Sequence, residues 1–90
     1  MHWKLFADLR ERAGEETVAV EDAATVEDAL EALLADRDAL RERVLDADGD
    51  VVPDVNVLKN GENVFDAGDG LDEPVVEGDE LALFPPVSGG

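Results

Sequence analysis

Thr25 opens the one stretch of this chain whose period admits a single reading. Val26, Ala29, Leu30, Leu33 and Leu34 fall at i, i+3, i+4, i+7 and i+8, which lays one apolar stripe along an α-helix. Thr25 is a good N-cap, and Asp28 stands where a capping box places its acidic partner, though the usual residue there is Glu or Gln. Glu27, Asp28 and Glu31 put negative charge near the positive end of the helix dipole. A stripe of this width has to be buried against another layer, and the rest of the chain offers only short β-prone runs.

Residues 2–7 read as a strand, with Trp3, Leu5 and Ala7 on one face and His2, Lys4 and Phe6 on the other. Leu9 and Ala13 are expected to pack in a following turn that Gly14 closes. Thr17-Val18-Ala19-Val20 is β-prone and pairs with the first strand as a hairpin. A second, shorter helical stretch is expected from Asp38 to Val44, with Leu40, Val44 and Leu45 inward. Val55-Asn56-Val57-Leu58 is the next strand, ended by the turn pair Asn60-Gly61. Within residues 62–78, Val64-Phe65 reads as a short strand, Pro74 is a breaker, and Glu77-Gly78-Asp79 is a turn. In the last strand Leu81 and Leu83 face one way, Ala82 and Phe84 the other. This order predicts an α+β domain, a mixed sheet of four to five strands packed on one main helix.

Seven basic residues stand against 24 acidic ones, a net charge of −17, which excludes nucleic-acid binding through phosphate neutralisation. The acids run from Asp8 to Glu80 and are not gathered in one block. That spread fits adaptation to molar salt, where the Debye length falls to about 3 Å, better than a local docking patch. With no cysteine, disulfides, thiolate metal sites and a cysteine nucleophile are excluded. No apolar run approaches the roughly 18 residues of a membrane span, and Met1-His2-Trp3-Lys4 is no signal peptide. The expectation is a soluble cytoplasmic protein that engages neither membrane nor nucleic acid.

No catalytic constellation is apparent. Asp46-Ala47-Asp48-Gly49-Asp50 resembles the start of a calcium loop, but its glycine sits too early and Val57 stands where a bidentate Glu is needed. It reads as an acidic turn, and no metal ligands are assigned. His2 is a lone histidine on the outer face, and Ser88 has no base near it in sequence. Gly14, Gly49, Gly61, Gly68 and Gly70 lie in unrelated acidic turns that would repel a phosphate. Neither a bound cofactor nor an enzymatic activity of the chain's own is expected. Phe6, Leu58 and Phe84, by contrast, all point away from the helix if the strand faces hold, and would gather into one apolar patch.

The packed run Leu81–Phe84 stops at Pro85-Pro86, and the chain ends on Val87-Ser88-Gly89-Gly90. Paired prolines cannot extend a ladder, so the domain is expected to span residues 1–84 and a tail residues 85–90. Two residues without Cβ atoms make a thin terminus that a narrow channel could accept. The stretch from Asp79 to Gly90 resembles the end of the small sulfur-carrier subunit of molybdopterin synthase, and more closely the small archaeal ubiquitin-like modifiers of halophilic archaea. Leu5-Phe6-Ala7-Asp8-Leu9-Arg10-Glu11 resembles the same family's first strand and turn.

The resemblance implies a β-grasp fold with the first and last strands adjacent and parallel. It implies that an E1-like activating enzyme, which supplies the ATP, adenylates the Gly90 carboxylate, with Gly89 and Ser88 needed for that step. Sulfide would then give a thiocarboxylate for molybdopterin or thiolated-nucleoside synthesis, and a target-protein lysine would give an isopeptide bond; both fates stay open. Phe6 and Phe84 would pack on the activating enzyme and on the molybdopterin synthase large subunit. Lys4 and Lys59 are the chain's own candidate acceptor lysines. The competing reading is a non-covalent acidic binding module whose Gly-Gly ending is incidental.

Overall fold

The fold is seen in a computed structural model that describes residues 1–52 and 55–84. In chain order the elements are β1 (His2–Leu5), α1 (Ala7–Ala13), β2 (Thr17–Ala19), α2 (Val26–Asp36), a 3-10 turn (Asp38–Leu40) and α3 (Arg41–Val44). Next come β3 (Asn56–Lys59), β4 (Glu62–Asn63), α4 (Val64–Ala67), a second 3-10 turn (Gly70–Asp72) and β5 (Glu80–Phe84). The strands form one five-stranded sheet in the order β2-β1-β5-β3-β4. β1 and β5 run parallel and every other pairing is antiparallel. A parallel pair cannot be joined by a hairpin, so the whole segment carrying α2 serves as its crossover. The arrangement is α+β and of the β-grasp type, as expected.

One face of the sheet packs on α2. Trp3, Leu5, Val18, Val57, Leu81 and Leu83 are buried there by strict alternation along their strands, against Val26, Ala29, Leu30, Leu33 and Leu34 of the helix. Each fully buried leucine or valine contributes roughly 1.5–3 kcal/mol relative to exposure. Trp3 also donates its indole N–H to the Ala29 carbonyl at 3.0 Å, so the buried ring leaves no polar atom unpaired and fastens α2 to the sheet. Thr25 caps α2 by accepting from the Asp28 N–H at 3.2 Å. The Asp28 carboxylate reaches back to the Ala24 N–H, one residue earlier than a capping box would place it.

Three local expectations need correction. The first strand ends at Leu5, and residues 7–13 form a helix in place of the expected turn. Ala7 takes a φ of 52°, reversing the chain into α1 and leaving Ala7 exposed instead of on the core face. Leu9 buries, and Gly14 ends the helix at φ 79° with its N–H on the Arg10 carbonyl. Val64-Phe65 opens α4 and is not a strand, because the Asn63 side chain accepts from the Phe65 N–H and caps a helical turn. The β3–β4 hairpin does turn at Asn60-Gly61, with φ of 51° and 87° as a type I′ turn requires.

Among the described residues no helix is long and apolar enough to cross a membrane, and no charged side chain is buried. The described acids therefore all meet solvent, where their mutual repulsion is open to screening. Melting temperature is expected to climb steeply from low salt to molar KCl. A flat dependence in thermal melts would contradict salt adaptation.

Candidate docking face and reactive terminus

The second face of the sheet has a different character. His2, Lys4, Leu58, Glu80, Ala82 and Phe84 point to it, and all except Ala82 remain exposed or half-buried. Lys4, Ala82 and Leu58 are register partners, so they form a row across β1, β5 and β3. Phe6 directly follows β1 with an extended backbone (φ −125°, ψ 155°), which continues the strand alternation and turns its ring outward. There it stacks on Phe84, with ring centroids 4.2 Å apart and planes within 10°. Leu58 lies diagonal to Phe84 across the β3–β5 pair, within the usual reach of an aromatic ring. The three apolar residues expected to form a patch thus share one open face, with Ala82 between them. Alternation places Ala82 on that face but does not single it out; the β1–β5 register is what centres it.

The two lysines part company. Lys4 lies in the apolar row, its ammonium 3.7 Å from the Glu80 carboxylate. Lys59 has the parity of Val57 and reaches round the helix side of the sheet. Its ammonium donates to Glu73 at 2.5 Å and to the Pro74 carbonyl at 3.0 Å. Glu73 also accepts from the Asp69 N–H at 3.0 Å, and its own carbonyl accepts from the Val26 N–H at the start of α2. This knot ties the end of β3 to the segment that seats the helix. Ser88, Gly89 and Gly90, and with them the expected boundary at residue 85, lie outside the described residues.

The hydrogen bond from Lys59, aided by the Asp69 N–H, holds the Glu73 carboxyl below its ordinary value, and Glu73 in turn holds Lys59 above its own. A depressed carboxyl adds stability that is whole above the unfolded value, about 4.3 for Glu, and is lost as pH falls through the folded value. A raised ammonium adds stability that is whole below about 10.4 and is lost only as pH climbs through the folded value. Glu73→Gln should therefore be less stable than the parent near neutrality, with the gap closing below about pH 4. Paired melts at fixed high salt check this; a gap that persists in acid would contradict a charge origin.

The acidic turn after α3 uses one carboxylate internally: Asp46 accepts from the Asp48 and Asp50 N–H groups at 2.9 and 3.1 Å. Among the described residues, no group of three or more His, Asp or Glu side chains is placed to hold a metal ion.

Comparison with known proteins agrees with the fold. The chain is 53% identical to small archaeal modifier protein 1 of Haloferax volcanii, with both chains covered completely. Against small archaeal modifier protein 3 of the same organism it is 44% identical over 97% of this chain and 95% of the relative. The crystal structure of the Haloferax modifier 1 superposes with a TM-score of 0.89, covering 99% of this chain and 97% of that one. The crystal structure of the Amycolatopsis orientalis BexX/CysO complex contains a chain 28% identical, with a TM-score of 0.82 and coverage of 99% and 98%. A family model described as the ThiS family matches residues 3–90. With its sheet, its helix and nearly its whole length matched, the chain belongs to the ThiS family.

Proposed function

We propose that this chain is a ubiquitin-like modifier and sulfur carrier whose reacting group is the α-carboxylate of Gly90. The observation that carries the reading is the stacked Phe6–Phe84 pair on the uncovered sheet face, at the last residue of β5. A face of this kind suits a protein partner, since aromatic residues make the strongest anchors. The partner is an E1-like adenylating enzyme, and the modifier names of the full-length relatives support that assignment. That a relative of similar fold occurs in a protein complex supports a docking role.

A carboxylate is a poor acyl donor because its leaving group would be oxide. Attack of the Gly90 carboxylate on the α-phosphate of ATP releases pyrophosphate and makes AMP the leaving group. Sulfide then displaces AMP to leave a thiocarboxylate, or a target lysine amine displaces AMP to leave an isopeptide bond. The molybdopterin synthase large subunit is the receiver in the sulfur branch and target-protein lysines in the other. The chain supplies the docking face and the acyl group; nucleotide chemistry belongs to the partner. Mass spectrometry of the protein from its native host tests the reading. Exchange of one oxygen for one sulfur at Gly90, or Gly-Gly remnants on lysines of other proteins, is expected. Finding neither would favour a non-covalent binding module.

A further inference from the structure

The chain has two lysines, and the sheet sends their amines to opposite faces. Lys59 is held by two acceptors, one of them a carboxylate, so acylating it means giving up both bonds. The Lys4 ammonium stands 3.7 Å from one Glu80 oxygen, beyond hydrogen-bond distance, and its side chain is 43% exposed. The other Glu80 oxygen lies 3.7 Å from Nε2 of His2. An exposed amine thus faces a carboxylate that itself faces an imidazole, all on the docking face. We propose that Lys4 is the lysine of this chain that accepts the acyl group of a second copy's activated Gly90, and that this linkage ends the acceptor's own access to activation.

The proposal rests on the carboxyl-terminal chemistry above. The Lys4 ammonium first loses a proton to solvent, or through one bridging water to the Glu80 carboxylate. The free amine attacks the acyl carbon, the C–N bond forms as the C–O bond to AMP breaks, and the second nitrogen proton leaves by the same route. The acyl group comes from another copy because Lys4 lies in the row with Ala82 and Leu58, beside the Phe6–Phe84 stack. A copy docked by this face has its own Lys4 covered while its carboxylate is activated. An acceptor that has reacted carries a whole second domain on the same face. It can no longer dock, although its own Gly90 is free. A joined acceptor therefore cannot serve as a donor in turn.

The test uses a donor copy with a C-terminal alkyl thioester at Gly90 and both lysines replaced (Lys4→Arg, Lys59→Arg), mixed with the full chain at high salt. The thioester bypasses the activating enzyme, so this result is independent of whether adenylation occurs. Peptide mass spectrometry of the joined product should find Lys4 acylated in excess of Lys59 on the order of tenfold, reflecting the charged hydrogen bonds that Lys59 must give up. Glu73→Gln should narrow that ratio by releasing Lys59, and Glu80→Gln should slow acylation at Lys4 several-fold while sparing Lys59. The purified joined pair, offered to the activating enzyme with ATP, should show no pyrophosphate exchange under conditions where the unlinked chain does. Attachment chiefly at Lys59 or at the Met1 amine, an unchanged Lys4 rate in Glu80→Gln, or exchange by the joined pair at the unlinked rate would overturn this inference alone. Absence of exchange by the unlinked chain would remove the Gly90 reading, and this inference with it.

Discussion

Alanine at Phe84 is expected to weaken docking on the activating enzyme by about 1–3 kcal/mol, roughly five- to 150-fold, while the domain stays folded. The ring is half-buried on the open face and stacks on Phe6, so its loss in the free protein removes one aromatic pair, about 0.5–1.5 kcal/mol, and opens no core cavity. Leu30→Ala is the opposite case. That side chain is 3% exposed between α2 and the sheet, and its truncation should cost about 2–5 kcal/mol out of a total stability of about 5–15 kcal/mol. It should leave the affinity of the folded fraction intact. Denaturant titration and calorimetric binding at molar salt separate the two. Parent-level affinity in Phe84→Ala would contradict the docking face.

The tail should behave in a third way. Deleting Gly89 and Gly90 removes no side chain, so stability should stay within about 0.5 kcal/mol of the parent. Docking should persist as well, because Phe6, Leu58 and Phe84 remain on the sheet. Adenylation should be lost, since the new carboxylate on Ser88 ends two residues short of the nucleotide. Gly90→Val keeps the length but adds a β-branched side chain that crowds the channel and restricts the backbone, and it should fail too.

How much of the fold is legible in the sequence depends on the range of the interactions involved. The α2 stripe and its Thr25 cap need only neighbours within two turns, and all five stripe residues are buried. The faces of β1 and β5 follow from alternation alone, which is why Phe84 and Leu83 separate correctly to opposite sides. α1 escapes a periodicity reading because a seven-residue helix with only Leu9 buried has little periodic signal, and its reversal occurs at an alanine rather than a glycine. α4 escapes it because Val64 and Phe65 are β-prone, and the capping Asn63 outweighs them. Strand neighbours depend on contacts far apart in sequence, so the parallel β1–β5 centre comes from the family resemblance and not from periodicity. The difference between the lysines is equally hidden. Lys59 meets Glu73 fourteen residues on, through a segment whose path no local pattern dictates.

The central claim is that the reacting group is the carboxylate of Gly90, and ATP–pyrophosphate exchange with the cognate activating enzyme tests it most directly. The parent, the Gly89–Gly90 deletion and Gly90→Val are compared at high salt, with docking measured in parallel. The account predicts exchange by the parent and background exchange by both variants, at undiminished affinity of the deletion for the enzyme. Parent-level exchange by the deletion would contradict it, because the enzyme would then be activating some group other than Gly90.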